Sequence, residues 1–123
     1  NTSVLLVEKD EGLRQLLVYI LQEDYQVMTV GNIIEAWRYL FSGKCLPNVL
    51  IIDLDVSHQK AVELVEQIKA NGILKAIPII MLCTEQKPSI PISKKIDAIL
   101  FKPFDPDHLR KKIVELISEN IEE

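Results

Sequence analysis

Several acids and one lysine in this chain stand where a run of apolar residues stops. Val49-Leu50-Ile51-Ile52 ends at Asp53, with Asp55 two residues further on. Val4-Leu5-Leu6-Val7 ends at Glu8-Lys9-Asp10, and Ala98-Ile99-Leu100-Phe101 runs into Lys102 before Pro103. Pro78-Ile79-Ile80-Met81-Leu82 closes on Cys83-Thr84, a thiol followed by a hydroxyl. A carboxylate at such a boundary is a catalytic group, a metal ligand, a phosphate acceptor or a helix cap.

These residues can act together only if the elements between them bring the run ends to one place. Unbroken apolar runs of this length suit strands buried on both faces of a parallel sheet. Gln26-Val27-Met28-Thr29-Val30 alternates instead, which predicts an edge strand with one face partly solvated. Asp10 caps a predicted first helix with apolar positions Leu13, Leu16, Leu17, Ile20 and Leu21. Asn32-Ile33-Ile34-Glu35 has the form of a capping box and starts a helix carrying Ile34, Trp37 and Phe41, which Gly43 closes. A third helix presents Val62, Val65 and Ile68, with Gly72 past its end. Asp105-Pro106 opens the last helix, with Leu109, Ile113, Leu116 and Ile117 inward. Residues 84 to 97 contain Pro88 and Pro91. An interior proline costs a helix ~3 kcal/mol, so the expectation there is a loop or a shortened, irregular fourth helix, with at most a turn between Ile92 and Ile96.

Five strands alternating with helices imply right-handed βαβ units, and the doubly wound, flavodoxin-like α/β order is 2-1-3-4-5. In that order the first and third strands are neighbours. Glu8-Lys9-Asp10 and Asp53 then meet at the switch point, and Cys83-Thr84 and Lys102 reach the same rim.

Composition bounds what such a site serves. A chain of 123 residues, 48% hydrophobic and with 4 Gly, reads as one globular domain over 1–123. A net charge of −4 argues against a nucleic-acid surface. No apolar run approaches a membrane span, and Asn1-Thr2-Ser3 shows no signal-peptide pattern. Cys45 and Cys83 form no CxxC or metal-ligand spacing, which fits a reducing cytoplasm. His58 and His108 also lack ligand spacing. The chain begins without Met, which fits a domain cut from a longer protein. No glycine-rich phosphate loop, nucleophile elbow or catalytic dyad is present, so an enzyme is not expected.

Taken in order, four motifs resemble the receiver domain of the two-component response regulators over nearly the whole chain. They are the acidic cluster at Glu8, the run Ile51-Ile52-Asp53-Leu54-Asp55, the strand Pro78-Ile79-Ile80-Met81-Leu82, and Phe101-Lys102-Pro103-Phe104-Asp105. The resemblance implies that Asp53 accepts a phosphoryl group from a histidine kinase or phosphotransfer protein. It implies Mg²⁺ held by Glu8, Asp53 and the backbone carbonyl of Asp55, with Asp10 a secondary candidate. Lys102 would face the phosphoryl group, the Lys102-Pro103 bond would be cis, and an output domain would share the longer chain.

The departures fall on the site. Lys9 replaces the second acid of the family's pair, and an ammonium has no lone pair for a metal, so Mg²⁺ binding is weakened. Cys83 stands at the usual hydroxyl position, with Thr84 next to it as a partial substitute. Ile99 replaces an aromatic, Ser57 a proline and Ala61 a glycine. Two readings follow: a phosphoryl-accepting receiver, or a pseudo-receiver that works as a protein-interaction module without phosphorylation. In the second, the Lys9 ammonium pairs with Asp53 and Glu8 in place of the metal.

Overall fold

Apart from Ser3 and Asp53 at two strand ends, the inner strands are apolar because each has two faces to cover. The computed structural model describes residues 2–84 and 96–121. Strands β1 (Ser3–Val7), β2 (Gln26–Val30), β3 (Val49–Asp53), β4 (Ile79–Cys83) and β5 (Ala98–Phe101) form one parallel sheet in the order β2-β1-β3-β4-β5. Helices α1 (Glu11–Leu21), α2 (Ile33–Phe41), α3 (His58–Ala70) and α4 (Pro106–Ile121) cover it, with short 3-10 turns at Leu54–Val56 and Leu74–Ala76.

Side-chain alternation divides the interior in two. Leu5, Val7, Leu50, Ile52, Ile79 and Met81 face α2 and α3. Val4, Leu6, Val49, Ile51, Ile80 and Leu82 face α1 and α4. Fully burying one such side chain contributes roughly 1.5–3 kcal/mol. β2 lies at the edge as expected, with Val27 and Val30 half-buried and Gln26, Met28 and Thr29 exposed.

The helix signals are met by real caps. Asp10 Oδ1 accepts from the Leu13 N–H at 2.8 Å, and Asn32 Oδ1 from Glu35 N–H at 2.8 Å. The return half of the box lands one residue early: Glu35 Oε2 accepts from Gly31 N–H at 3.0 Å. Asp105 Oδ1 accepts from Asp107 N–H, and Pro106 is the first residue of α4. Gly43 sits at φ +70, the left-handed conformation expected just past α2. Gly72 does not, because α3 closes on Asn71 in an extended conformation.

Two helix faces are corrected. α2 buries Ile33, Ala36 and Leu40, leaving Ile34 52% and Trp37 45% exposed. The stripe that meets the sheet thus begins one residue earlier than the larger side chains indicate. Trp37 instead stacks on Phe41, centroids 4.9 Å apart, and donates from Nε1 to Gln67 Oε1 at 2.5 Å. On α1, Leu16 is 53% exposed, while Leu17, Ile20 and Leu21 pack inward. On α3 the buried face includes Ala61 and Leu64 along with Val65 and Ile68. The expected irregular fourth helix falls largely on residues 85–95, outside the described residues.

At the end of the sheet where strands begin, Lys69 ties α3 to the strands that follow it. Its Nζ donates to the carbonyls of Lys75 at 3.2 Å and Ile77 at 3.3 Å and lies 3.9 Å from Asp97 Oδ2. Asp97 Oδ2 in turn accepts from Ile79 N–H at 2.7 Å, at the start of β4.

Candidate functional site

Strand register assembles the site. β1 pairs Val7 with Ile52 of β3, so Glu8 and Asp53, the next residue of each strand, come out side by side. β4 pairs Cys83 with Phe101 of β5, so Thr84 and Lys102 emerge together on the adjoining rim. Lys102 N–H donates to the Cys83 carbonyl at 2.8 Å and the Lys102-Pro103 bond is cis, as the resemblance implied.

Asp53 is the focus, at 1% exposure. Its Oδ2 lies 2.5 Å from Lys102 Nζ, and its Oδ1 accepts from Asp55 N–H at 2.9 Å. Lys102 Nζ also reaches Asp55 Oδ2 at 3.1 Å. The same Asp55 oxygen accepts the Thr84 hydroxyl, while Asp55 Oδ1 lies 3.9 Å from His58 Nε2. A cleft of about 300 Å³ opens above this network, lined by Glu8, Lys9, Asp10, Asp53, Asp55 and Lys102.

Glu8 is 2% exposed, and the sheet gives it little water. Oε2 accepts from Asp10 N–H at 3.1 Å, whereas Oε1 is buried with no hydrogen-bond partner among the described residues. Burial, then the Asp53 carboxylate beside it, pushes the Glu8 carboxyl up to about 8. For Asp55 burial works upward, but hydrogen bonds from Thr84 and Lys102 outweigh it and hold the carboxyl below its ordinary range. For Lys102 burial works downward, and its bonds to Asp53 and Asp55 overcome that and raise it.

The structure brings together Glu8, Asp53, Asp55, Thr84 and Lys102, and it sorts the remaining candidates. Asp10 lines the mouth of the cleft, but one of its oxygens caps α1. Cys83 is fully buried in the core against α2 and α3, so the hydroxyl that serves the site is that of Thr84. Lys9 is exposed on the lip and forms no ion pair with Asp53 or Glu8 among the described residues, contrary to the metal-replacement reading. Lys102 holds that place. The side chain of Asp55 was not anticipated, since only its carbonyl had been assigned a role. An acid two residues after a strand end, on a tight 3-10 turn, could have signalled it.

The donor set suits a small hard cation. The unpartnered Glu8 Oε1 is an oxygen that either a proton or a cation completes, and Asp53 and the Asp55 carbonyl add two more oxygens. Mg²⁺ keeps several waters and needs few protein ligands. The set is lean, because no group of three His, Cys, Asp or Glu fit to hold a metal occurs among the described residues.

A family model described as the response regulator receiver domain matches residues 4–114. Response regulator Rre1 of Synechocystis sp. is 27% identical over 121 residues, covering 94% of this chain and 52% of its own length. Chemotaxis protein CheY1 of Helicobacter pylori (strain J99) is 28% identical, covering 96% of this chain and 98% of its own. The solved chemotaxis response regulator CheY4 of Vibrio cholerae superposes with a TM-score of 0.80 at 28% identity, covering 94% and 98% of the two chains. The chain spans about half the length of the Synechocystis relative. No helix among the described residues is long and apolar enough to cross a membrane.

Proposed function

The chain belongs to the response regulator receiver domain family, and on that premise we propose that Asp53 accepts a phosphoryl group from the phosphohistidine of a histidine kinase or phosphotransfer protein. The observation that carries this reading is the Asp53 carboxylate, fixed at the end of β3 with the Lys102 ammonium 2.5 Å away and an open cleft above it. An Asp53 oxygen attacks phosphorus in line; the P–N bond breaks, and its electron pair stays on the imidazole of the donor. Lys102 neutralises charge on the transferred oxygens, and the burial of Asp53 keeps that interaction strong. Glu8, Asp53 and the Asp55 carbonyl would hold Mg²⁺, which when bound would supply further neutralisation of the same oxygens. In this role the chain is a switch acted on by a kinase rather than an enzyme, in the cytoplasm, with an output domain in a longer chain.

Incubation with acetyl phosphate and Mg²⁺ tests the reading by intact mass. The expected gain is one phosphoryl group, lost in Asp53→Asn. A second reading, the phosphorylation-independent interaction module, draws on the exposed Lys9 at the second acid position and the buried Cys83 at the hydroxyl position. No mass gain with any small phosphodonor, in a protein that stays folded, selects it over the first.

A further inference from the structure

Thr84 and Lys102 are the donors that an anion seated on Asp53 would use from the β4 and β5 side, and Asp55 Oδ2 already takes both. A hydroxyl has one proton, so Thr84 donates to Asp55 or to an incoming anion but not to both. Lys102 has three, and Asp53 and Asp55 engage two of them. We propose that the Asp55 side chain is a positioning residue that occupies the seat of the phosphoryl group, so that any anion bound at Asp53 must first displace it. This rests on the acceptor reading of Asp53 and adds an internal competitor to it.

Charge makes displacement obligatory. Two unit anions about 4 Å apart repel by about 4 kcal/mol near a protein surface, and a phosphoryl group carries more than one charge. Asp55 also has somewhere to go. It stands on the 3-10 turn Leu54–Val56, its side chain is about one-third exposed, and its other oxygen already lies 3.9 Å from His58 Nε2. Removing the carboxylate frees Thr84 and Lys102 without touching Asp53, and it leaves the Asp55 carbonyl in place.

Beryllium fluoride, which coordinates a carboxylate oxygen as a tetrahedral phosphoryl mimic, is the probe. Its affinity is measured at saturating Mg²⁺ by NMR, reading the Thr84 methyl signal, for the wild type, Asp55→Ala, Asp55→Asn and Asp55→Glu. The expected result is binding about tenfold tighter in Asp55→Ala and Asp55→Asn, the scale of one charge-assisted hydrogen bond, with weak binding restored in Asp55→Glu. The near-isosteric Asn keeps the result readable if Ala perturbs the turn. Equal or weaker binding in both neutral variants overturns the inference and leaves the acceptor reading standing. If the wild type and all three variants fail to bind while folded, the acceptor reading falls, and the inference falls with it.

Discussion

Glu8 and Asp53 are the two carboxyl side chains that the described residues bury, and the pairing of Val7 with Ile52 sets them next to each other. Two carboxylates so placed cannot both be ionised at little cost. Asp53 has Lys102 on one oxygen and the Asp55 N–H on the other, so the proton falls to Glu8.

Stability should therefore fall on the alkaline side. The Glu8 carboxyl is raised from 4.5 to about 8 in the folded chain, so the folded state holds a proton that the unfolded state has released. That contribution is complete below the unfolded value and is lost as pH rises through the folded value. A tenfold change in proton affinity is worth about 1.4 kcal/mol. Thermal melts at about pH 6 and about pH 9 should differ by roughly 3–6 °C or more, and Glu8→Gln should flatten the difference. An equal slope in Glu8→Gln would remove Glu8 as its source.

Mg²⁺ has to displace the same proton. Its affinity, measured by calorimetry, should be weak at about pH 6 and rise by up to roughly a hundredfold toward pH 9. Lys9→Asp, which replaces an exposed cation at the mouth of the cleft with an oxygen ligand, should tighten binding by about tenfold or more at neutral pH. Unchanged affinity in that variant would mean that the cation sits away from Lys9.

Removing the ammonium should be costly in proportion to what it leaves behind. Lys102→Met strands a nearly fully buried Asp53 charge, an expected loss of about 1–3 kcal/mol by urea unfolding. In Lys102→Met combined with Asp53→Asn the loss should be smaller than the sum of the single effects. Strict additivity would show that the two groups do not interact.

The α2 cap offers a test away from the cleft. Asn32→Ala removes the acceptor for Glu35 N–H and should cost about 1 kcal/mol, with Mg²⁺ and beryllium fluoride binding unchanged. A change in either affinity would reveal coupling between α2 and the cleft.

Much of this was legible in the residues, because apolar runs and caps report local rules. β3 had to be buried on both faces, Asp10 and Asn32 had to start helices, and the sheet order carried Glu8, Asp53, Thr84 and Lys102 to one rim. The failures came from side-chain direction, which tertiary packing decides. Trp37 and Ile34 are more hydrophobic than Ala36 yet point outward, because the buried stripe of α2 runs through Ile33, Ala36 and Leu40. Asp55 was read by its backbone alone, since a turn's ability to fold a side chain back over a strand end leaves no periodic trace. Lys9 offered a plausible ion pair, but Lys102 from β5 reaches Asp53 first.

The Lys69 clasp gives the sheet one bolted end and one working end. At the strand starts, a single ammonium holds two carbonyls and Asp97, and Asp97 holds the first N–H of β4. At the strand ends, Asp55, Thr84 and Lys102 share a few exchangeable bonds. The two networks share no residue, so bonds exchanged in the cleft do not draw on those at the strand starts.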